Sequence, residues 1–470
     1  MTRITALGWA MLAVGIAVGV WVAPAAWARA TYGARTTADE PQYLMSAISL
    51  AEDRSLDVSD ERSEGRYRRF HEVGLPLQEE IRADGSRISP HDPLLPALLA
   101  VPVGIGGWLA AKLAMAAMAG VLASTLLWVA VRRFAVPLGV GTVVVLAFGA
   151  SAPLAMYGTQ IYPELPGALV VTVAVAALTG PLRARGLIVL GLAVSALPWL
   201  SVKYAPVAAA LALLAVVLLA RRGERRAAAS LVGGLGVAAA LFAIGHVAWY
   251  GGLTPYAAGA HFTSGELRVM GDPDFLGRAQ RLTGLLVDRG FGLVAWAPAY
   301  LLVVPALAAL ARRRPPGAAA IGVPLATGWA TAAFVALTMH GWWWPGRQVV
   351  VVLPCLVLVV AWWAKVVPAV RPMVVVTGVI GVATFSWVVI EALAGRLTLV
   401  VDFESTTAIW HQVIRPVLPD GRLTSAGTAS LHAAWLVAFA AAAAWGWRSA
   451  APALGTRPSH AALAAQHGGA

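Results

Sequence analysis

The feature that most limits what this chain can fold into is a series of apolar runs close to the ~20 residues needed to cross a hydrocarbon layer, separated by short charged connectors. They lie at roughly 5–28, 108–131, 136–156, 163–180, 187–200, 203–220, 227–250, 290–311, 317–340, 348–364, 372–393 and 430–447, about twelve in all. A backbone in lipid has to satisfy its own hydrogen bonds, so each run is predicted to be helical and the fold class is all-α, polytopic and membrane-embedded. Composition excludes the soluble alternative: 59% of the 470 residues are hydrophobic and 12% charged, whereas soluble domains carry roughly a quarter charged residues. The runs at 187–200 and 203–220 are short and broken by Pro198 and Pro206, which predicts a helical hairpin or a re-entrant element. The first run reads as a retained anchor, although Ala26-Trp27-Ala28 has the small-residue pattern of a signal cleavage site.

A net charge of +12 would suit a nucleic-acid partner, but the placement of the basic residues identifies it as a topology signal. Arg3, Arg132-Arg133, Arg183, Arg185, Arg221-Arg222, Arg225-Arg226, Arg312-Arg313-Arg314, Lys365, Arg371, Arg448 and Arg457 fall in one set of connectors, where the single acid is Glu224. The positive-inside rule places that set in the cytoplasm. The alternate set faces the extracytoplasmic side and includes the long polar segment 29–92, with 13 acidic and 9 basic residues. Residues 1–450 thus form one membrane domain, with a first outer loop at 29–92 containing short helices and a last outer loop at 394–429. A cytoplasmic tail at 451–470, rich in Ala, Gly and His, is expected to be disordered. Cys355 is alone, which rules out an intramolecular disulfide and a thiolate metal site. Phosphate-loop, HExxH, heptad and internal-repeat patterns are not seen, which argues against an ATP-driven pump.

Polar residues gather at the outer connector ends: Asp39-Glu40, His71-Glu72, His91-Asp92, Tyr157, Gln160 to Glu164, Lys203-Tyr204, Asp288-Arg289 and His340 to Arg347. Polar groups at membrane depth are costly and usually line a cavity, so their clustering on one face marks a candidate site. Each also has a structural reading. Asp39 with Pro41 would cap a short helix over 42–53, Lys203, Arg347 and Lys112 would snorkel to headgroups, and Trp342-Trp343-Trp344 would form an interfacial belt. His246 reads as structural.

Together, Asp39-Glu40-Pro41-Gln42-Tyr43-Leu44, Ser89 to Pro96, Tyr162-Pro163-Glu164-Leu165-Pro166, Leu197 to Leu200 with Lys203-Tyr204, and the Trp-rich turn ending Pro345-Gly346-Arg347 resemble the bacterial branch of the GT-C glycosyltransferases. Those enzymes are similar to protein O-mannosyltransferases and lipid A aminoarabinose transferases. The resemblance covers about residues 1–365 and implies transfer of a monosaccharide from a polyprenyl-phosphate donor to a lipid-linked glycan or cell-envelope acceptor on the extracytoplasmic face. It implies Asp39 as the general base, with Glu40 orienting it or holding a divalent cation. Such chemistry needs cations for the departing phosphate and one carboxylate for the acceptor proton; one base without a protein nucleophile implies inversion. Arg347 and Lys203 are the candidate phosphate ligands, and Glu164 is a candidate for a metal or the sugar hydroxyls. Tyr43, His91, Tyr162 and Tyr204 complete the expected substrate site. His91 and His340 are weaker candidates to complete a cation site with Glu40 or Glu164, and Arg289 is a weaker site candidate. Segment 54–87, with Tyr67 to His71 as its most suggestive part, and segment 394–429 are expected to fold over the site. A transporter or flippase of lipid-linked sugars is the alternative, and a non-catalytic subunit of an envelope assembly a third possibility.

Overall fold

The structure, a computed structural model, describes residues 5–259, 275–423 and 425–451. The expected basic start at Arg3 and all but the first residue of the 451–470 tail lie outside the described residues. Among the described residues the fold is helical, and β pairing is confined to isolated bridges such as Ala34 with His71 and Asp57 with Ile88.

Among the described residues, eight helices are long and apolar enough to cross a membrane: Ala6–Trp27, Leu94–Phe134, Val202–Arg221, Arg225–Ala258, Ala318–Val335, Arg347–Val366, Pro368–Leu393 and Ala426–Ser449. Three shorter apolar helices accompany them, Leu138–Gly149, Glu164–Leu178 and Ala184–Leu200. The protein is a multi-pass membrane protein. One expected span is corrected: 290–311 is not a single helix but a turn, Leu293–Trp296, a 3-10 segment, Pro298–Leu302, and a helix, Val303–Arg313. Pro298 cannot donate a backbone hydrogen bond, and the Asp288 carboxylate accepts from the N–H groups of Gly290 and Phe291 at 3.0 and 2.8 Å. Residues 290–300 are buried throughout, and irregular backbone at membrane depth is tolerated where protein encloses it.

The first helix runs along Leu94–Phe134 at very close range. A Cβ built on Gly120 would lie 2.3 Å from the Gly15 carbonyl oxygen, so only glycine permits this crossing. The Ser124 hydroxyl seals it by donating to the Met11 carbonyl at 2.7 Å. Leu94–Phe134 breaks at Gly106 and Gly107 (φ 63°, ψ −153° at Gly107), just before the expected start of the span at 108. Ala184–Leu200 and Ala205–Arg221 are joined by the 3-10 turn Val202–Tyr204, which realises the helical-hairpin alternative.

Burial separates centre from periphery. The most apolar window of Arg347–Val366 is 89% buried, against 6% in Arg225–Ala258 and 0% in Ala426–Ser449. Helices apolar all round but uncovered by protein present Val237, Leu241, Ile244, Leu436 and Val437 to lipid. The central helix starts at Arg347 and ends near Lys365; Val202–Arg221 starts beside Lys203; Leu94–Phe134 starts after Asp92 and ends with Arg132-Arg133. The outer-site candidates and the Arg-rich connectors therefore occupy opposite ends of the same helices.

Candidate active site

The helix Glu40–Glu52 has Asp39 at its N-cap position and Pro41 in its first turn, as the local sequence favours. The Asp39 side chain makes no cap bond to that helix. Its Oδ2 accepts from the Arg347 guanidinium at 2.5 Å, across 308 residues of chain, and its Oδ1 lies 3.6 Å from His91 Nε2. Burial alone would raise the Asp39 carboxyl, but the charges of Arg347 and His91 outweigh it and hold this group well below the usual carboxylate range.

Arg347 is set by its neighbours in sequence. Gly346 has φ 84°, and a Cβ there would meet Leu293 at 2.8 Å, so the turn takes only glycine and aims the next side chain inward. The guanidinium stacks over the Tyr162 ring at 4.1 Å and the Trp343 ring at 4.9 Å. Its Nε donates to Glu164 Oε1 at 2.8 Å, and the same oxygen accepts from Lys203 Nζ at 2.6 Å. Four charges from four distant segments thus alternate in sign: Asp39, Arg347, Glu164 and Lys203.

The Lys203 turn is itself anchored. Asp92 Oδ2 accepts the Val202 N–H at 2.9 Å, while Asp92 Oδ1 is 3.0 Å from Nε2 of the fully buried His246. His246, expected to be structural, is so in this specific sense: it holds the carboxylate that holds the lysine turn.

These groups border a cavity of roughly 170 Å³, whose lining includes Asp39, Tyr43, His91, Lys203 and Arg347 from the sequence-derived set. Gln78, Asp92, Ser201 and Tyr256 line it as well. Of these, only Asp92 lay in a polar cluster visible in sequence; Gln78 lies in a loop and Tyr256 in the 3-10 turn Pro255–Ala258, neither with a recognisable local signal. Tyr43 packs edge-on to His91, ring centroids 4.7 Å apart, and burial with the nearby Asp39 and Glu164 charges keeps its phenol well above the ordinary range.

Other expected site residues stand behind this lining. Glu164 is buried beneath Arg347 and Lys203, and its second oxygen has no hydrogen-bond partner. The Tyr162 hydroxyl donates to the Thr37 carbonyl at 3.0 Å, which makes its ring a platform for Arg347. Tyr204 is buried beside Lys203, with the ammonium 5.3 Å from its ring centre.

Glu40 points away from the cavity. Its two oxygens accept the N–H groups of Ile161 at 2.8 Å and Thr37 at 3.1 Å, and Lys112 lies 3.8 Å away. Burial raises its carboxyl above the ordinary value against the pull of Lys112 and the two N–H groups. Lys112 does not snorkel: it is buried and donates to the Arg35 carbonyl at 2.7 Å, because Glu40 and the first loop cover it. His340 sits 3.4 Å from Asp288, not with Glu164, and Arg289 donates to the Leu418 carbonyl. The Trp triplet divides its roles: Trp342 is exposed, Trp343 lies under Arg347, and Trp344 is buried and fixed by its carbonyl to the Tyr157 hydroxyl at 2.6 Å.

In the first loop Phe70 is buried and His71 Nδ1 faces the Thr36 carbonyl at 3.2 Å, so this stretch builds the loop's own core. The cavity lining contains no described residue of 394–429; that segment ties its charges together through Arg415, Arg422, Glu404 and Asp420.

The chain matches no protein-family profile and no curated protein. Among solved structures it is similar to ArnT from Cupriavidus metallidurans, determined bound to undecaprenyl phosphate, at 13% identity and a TM-score of 0.46, over 95% of this chain and 78% of that one. A likeness this loose carries no conclusion about activity.

Proposed function

We propose that this protein is a GT-C-like membrane glycosyltransferase that moves a monosaccharide from a polyprenyl-phosphate donor to a lipid-linked glycan or cell-envelope acceptor. What supports the proposal is the alternating run Asp39, Arg347, Glu164 and Lys203, of which Asp39, Arg347 and Lys203 line one cavity with Glu164 buried behind them, since the reaction asks for one carboxylate and a pair of cations. The acceptor oxygen attacks the anomeric carbon as its proton passes to Asp39. The bond from that carbon to the phosphate oxygen breaks, and the oxygen departs with the electron pair toward Arg347 and Lys203. A single displacement with no protein nucleophile inverts the anomeric centre.

Arg347 links the two halves of this scheme. Its guanidinium spans Asp39 and Glu164; a donor phosphate competing for that fork loosens its hold on Asp39 and raises the basicity of the group that must take the proton. Glu164, buried behind the lining, keeps Arg347 and Lys203 in place; a direct contact with a sugar hydroxyl is not supported by that position. The cavity is smaller than the about 300–1,000 Å³ of sites for drug-sized ligands, a size that suits one sugar ring. A divalent cation at Glu40 finds no support in the donor set, because both oxygens already accept N–H groups; no step is assigned to a metal.

The site stands at the helix ends opposite the Arg-rich connectors, which the positive-inside rule assigns to the extracytoplasmic face. A transporter would hold its charges near mid-span on broken helices, whereas these four stand at or just before helix starts.

The test is transfer from a panel of radiolabelled polyprenyl-phosphate sugars by the purified protein in detergent and by Asp39→Asn. Wild type should transfer at least one sugar, and the variant should be slower by about 100- to 10,000-fold. No transfer from any donor would sink the assignment; equal rates would remove Asp39 from the chemistry.

A further inference from the structure

At the other end of the helix Glu40–Glu52, roughly 20 Å from Asp39 by helical rise, three more carboxylates converge. Asp53 is the C-cap of that helix, and Asp60 and Glu61 belong to the short helix Ser59–Ser63. One oxygen from each lies within 4.8 Å of the others. The intervening chain is folded back by Ser49, whose hydroxyl reaches the carbonyls of Ser55 and Asp57 at 3.1 and 2.7 Å.

Glu61 distinguishes this cluster from a solvated acidic patch. Its exposure is 0%, and neither carboxylate oxygen has a hydrogen-bond partner. Other buried acids of this chain are answered: Glu40 by two N–H groups, Glu164 by Lys203 and Arg347, Glu391 by Thr406 and Thr407. Arg66 approaches Asp60 at 3.7 Å, but its hydrogen bonds go to Glu52 and Glu64. Two carboxylates in contact without a donor between them are costly to bury and need either a shared proton or a cation.

We propose that Asp53, Asp60 and Glu61 bind a hard divalent cation of the calcium type, which ties the end of the helix Glu40–Glu52 to Ser59–Ser63. Three carboxylates offer up to six hard oxygen donors, suited to the flexible, high coordination of calcium; imidazole or thiolate, which zinc prefers, is not part of the group. With Asp53 exposed and Asp60 partly so, water completes the shell. At this distance from Asp39 the cation takes no part in transfer and acts on the stability of the first loop.

Calorimetric titration of the full chain in detergent, stripped with a chelator, tests this with CaCl2 and with MgCl2 and ZnCl2 for comparison. One saturable calcium site is expected, with a melting temperature several degrees higher once calcium exceeds its Kd by about 100-fold. Glu61→Gln should weaken calcium binding by at least about tenfold and abolish the thermal gain, while its metal-free melting temperature stays at or above wild type. Asp53→Asn, at an exposed position that does not threaten folding, should weaken calcium as well. Absence of saturable binding up to millimolar calcium overturns the site and leaves a shared proton between Asp60 and Glu61; binding unchanged in both variants overturns the residue assignment.

Discussion

Asp39 and Glu40 are consecutive carboxylates at one helix start, yet they face two different regions. On the cavity side, Asp39 is 26% exposed and meets a guanidinium and an imidazole, partners that a substrate phosphate can draw away. On the sealed side, Glu40 is fully buried and meets two backbone N–H groups and Lys112, partners that cannot leave without unfolding the first loop. Two similar ion pairs thus have different uses. Mobile, side-chain partners leave a carboxylate free for chemistry; backbone partners turn it into a fastening.

The sharpest way to break that comparison is to neutralise each acid in turn. Asp39→Asn should slow transfer by about 100- to 10,000-fold and lower the melting temperature by less than loss of Glu40 does, because Arg347 keeps its bond to Glu164. Glu40→Ala should leave Lys112 unpaired in the interior and cost about 3–5 kcal/mol of stability, with near wild-type activity per folded molecule; thermal melting and specific activity, measured on the same samples, separate the two. If Glu40→Ala melts like wild type, the fastening role is wrong.

Arg347→Lys keeps a charge but loses the planar fork that spans Asp39 and Glu164 and stacks on Tyr162 and Trp343. Transfer should fall by about 10- to 100-fold, corresponding to one or two charge-assisted hydrogen bonds. A loss below twofold would mean that a point charge suffices.

The smallest effect is in the pH profiles. Because Arg347 and His91 hold the folded Asp39 below its unfolded value, its stabilising contribution is present above the ordinary carboxylate range and is lost as pH falls through the depressed value. If donor phosphate draws Arg347 away, the acid limb of kcat, which reports the complex, should lie higher than that of kcat/KM, by up to about one pH unit. Coincident limbs would show that Asp39 keeps its guanidinium throughout.

Much of this was legible in the residues. Hydropathy located most of the apolar helices because lipid punishes every unsatisfied backbone group, and Pro198 and Pro206 marked a break that left a helical hairpin or a re-entrant element open. Segment 290–311 was misleading: its apolar composition is shared by a lipid-crossing helix and by a broken segment enclosed in protein, and hydropathy does not distinguish them. Lys112 misled for a similar reason, since a lysine near a span end looks the same whether it reaches out to headgroups or inward to Glu40. Gln78 enters the cavity from a loop and Tyr256 from the 3-10 turn Pro255–Ala258, and the paths of both depend on long-range packing.

By itself, then, the sequence determined that the chain lies in a membrane, where most of its long helices run, and which connectors carry the Arg-rich and which the polar ends, because these follow from local transfer free energies. Only the tertiary structure decided that residue 39 meets residue 347 while residue 40 turns to Ile161 and Lys112. Adjacent side chains at a helix start point in different directions, and which direction is the cavity depends on the packing of segments hundreds of residues apart.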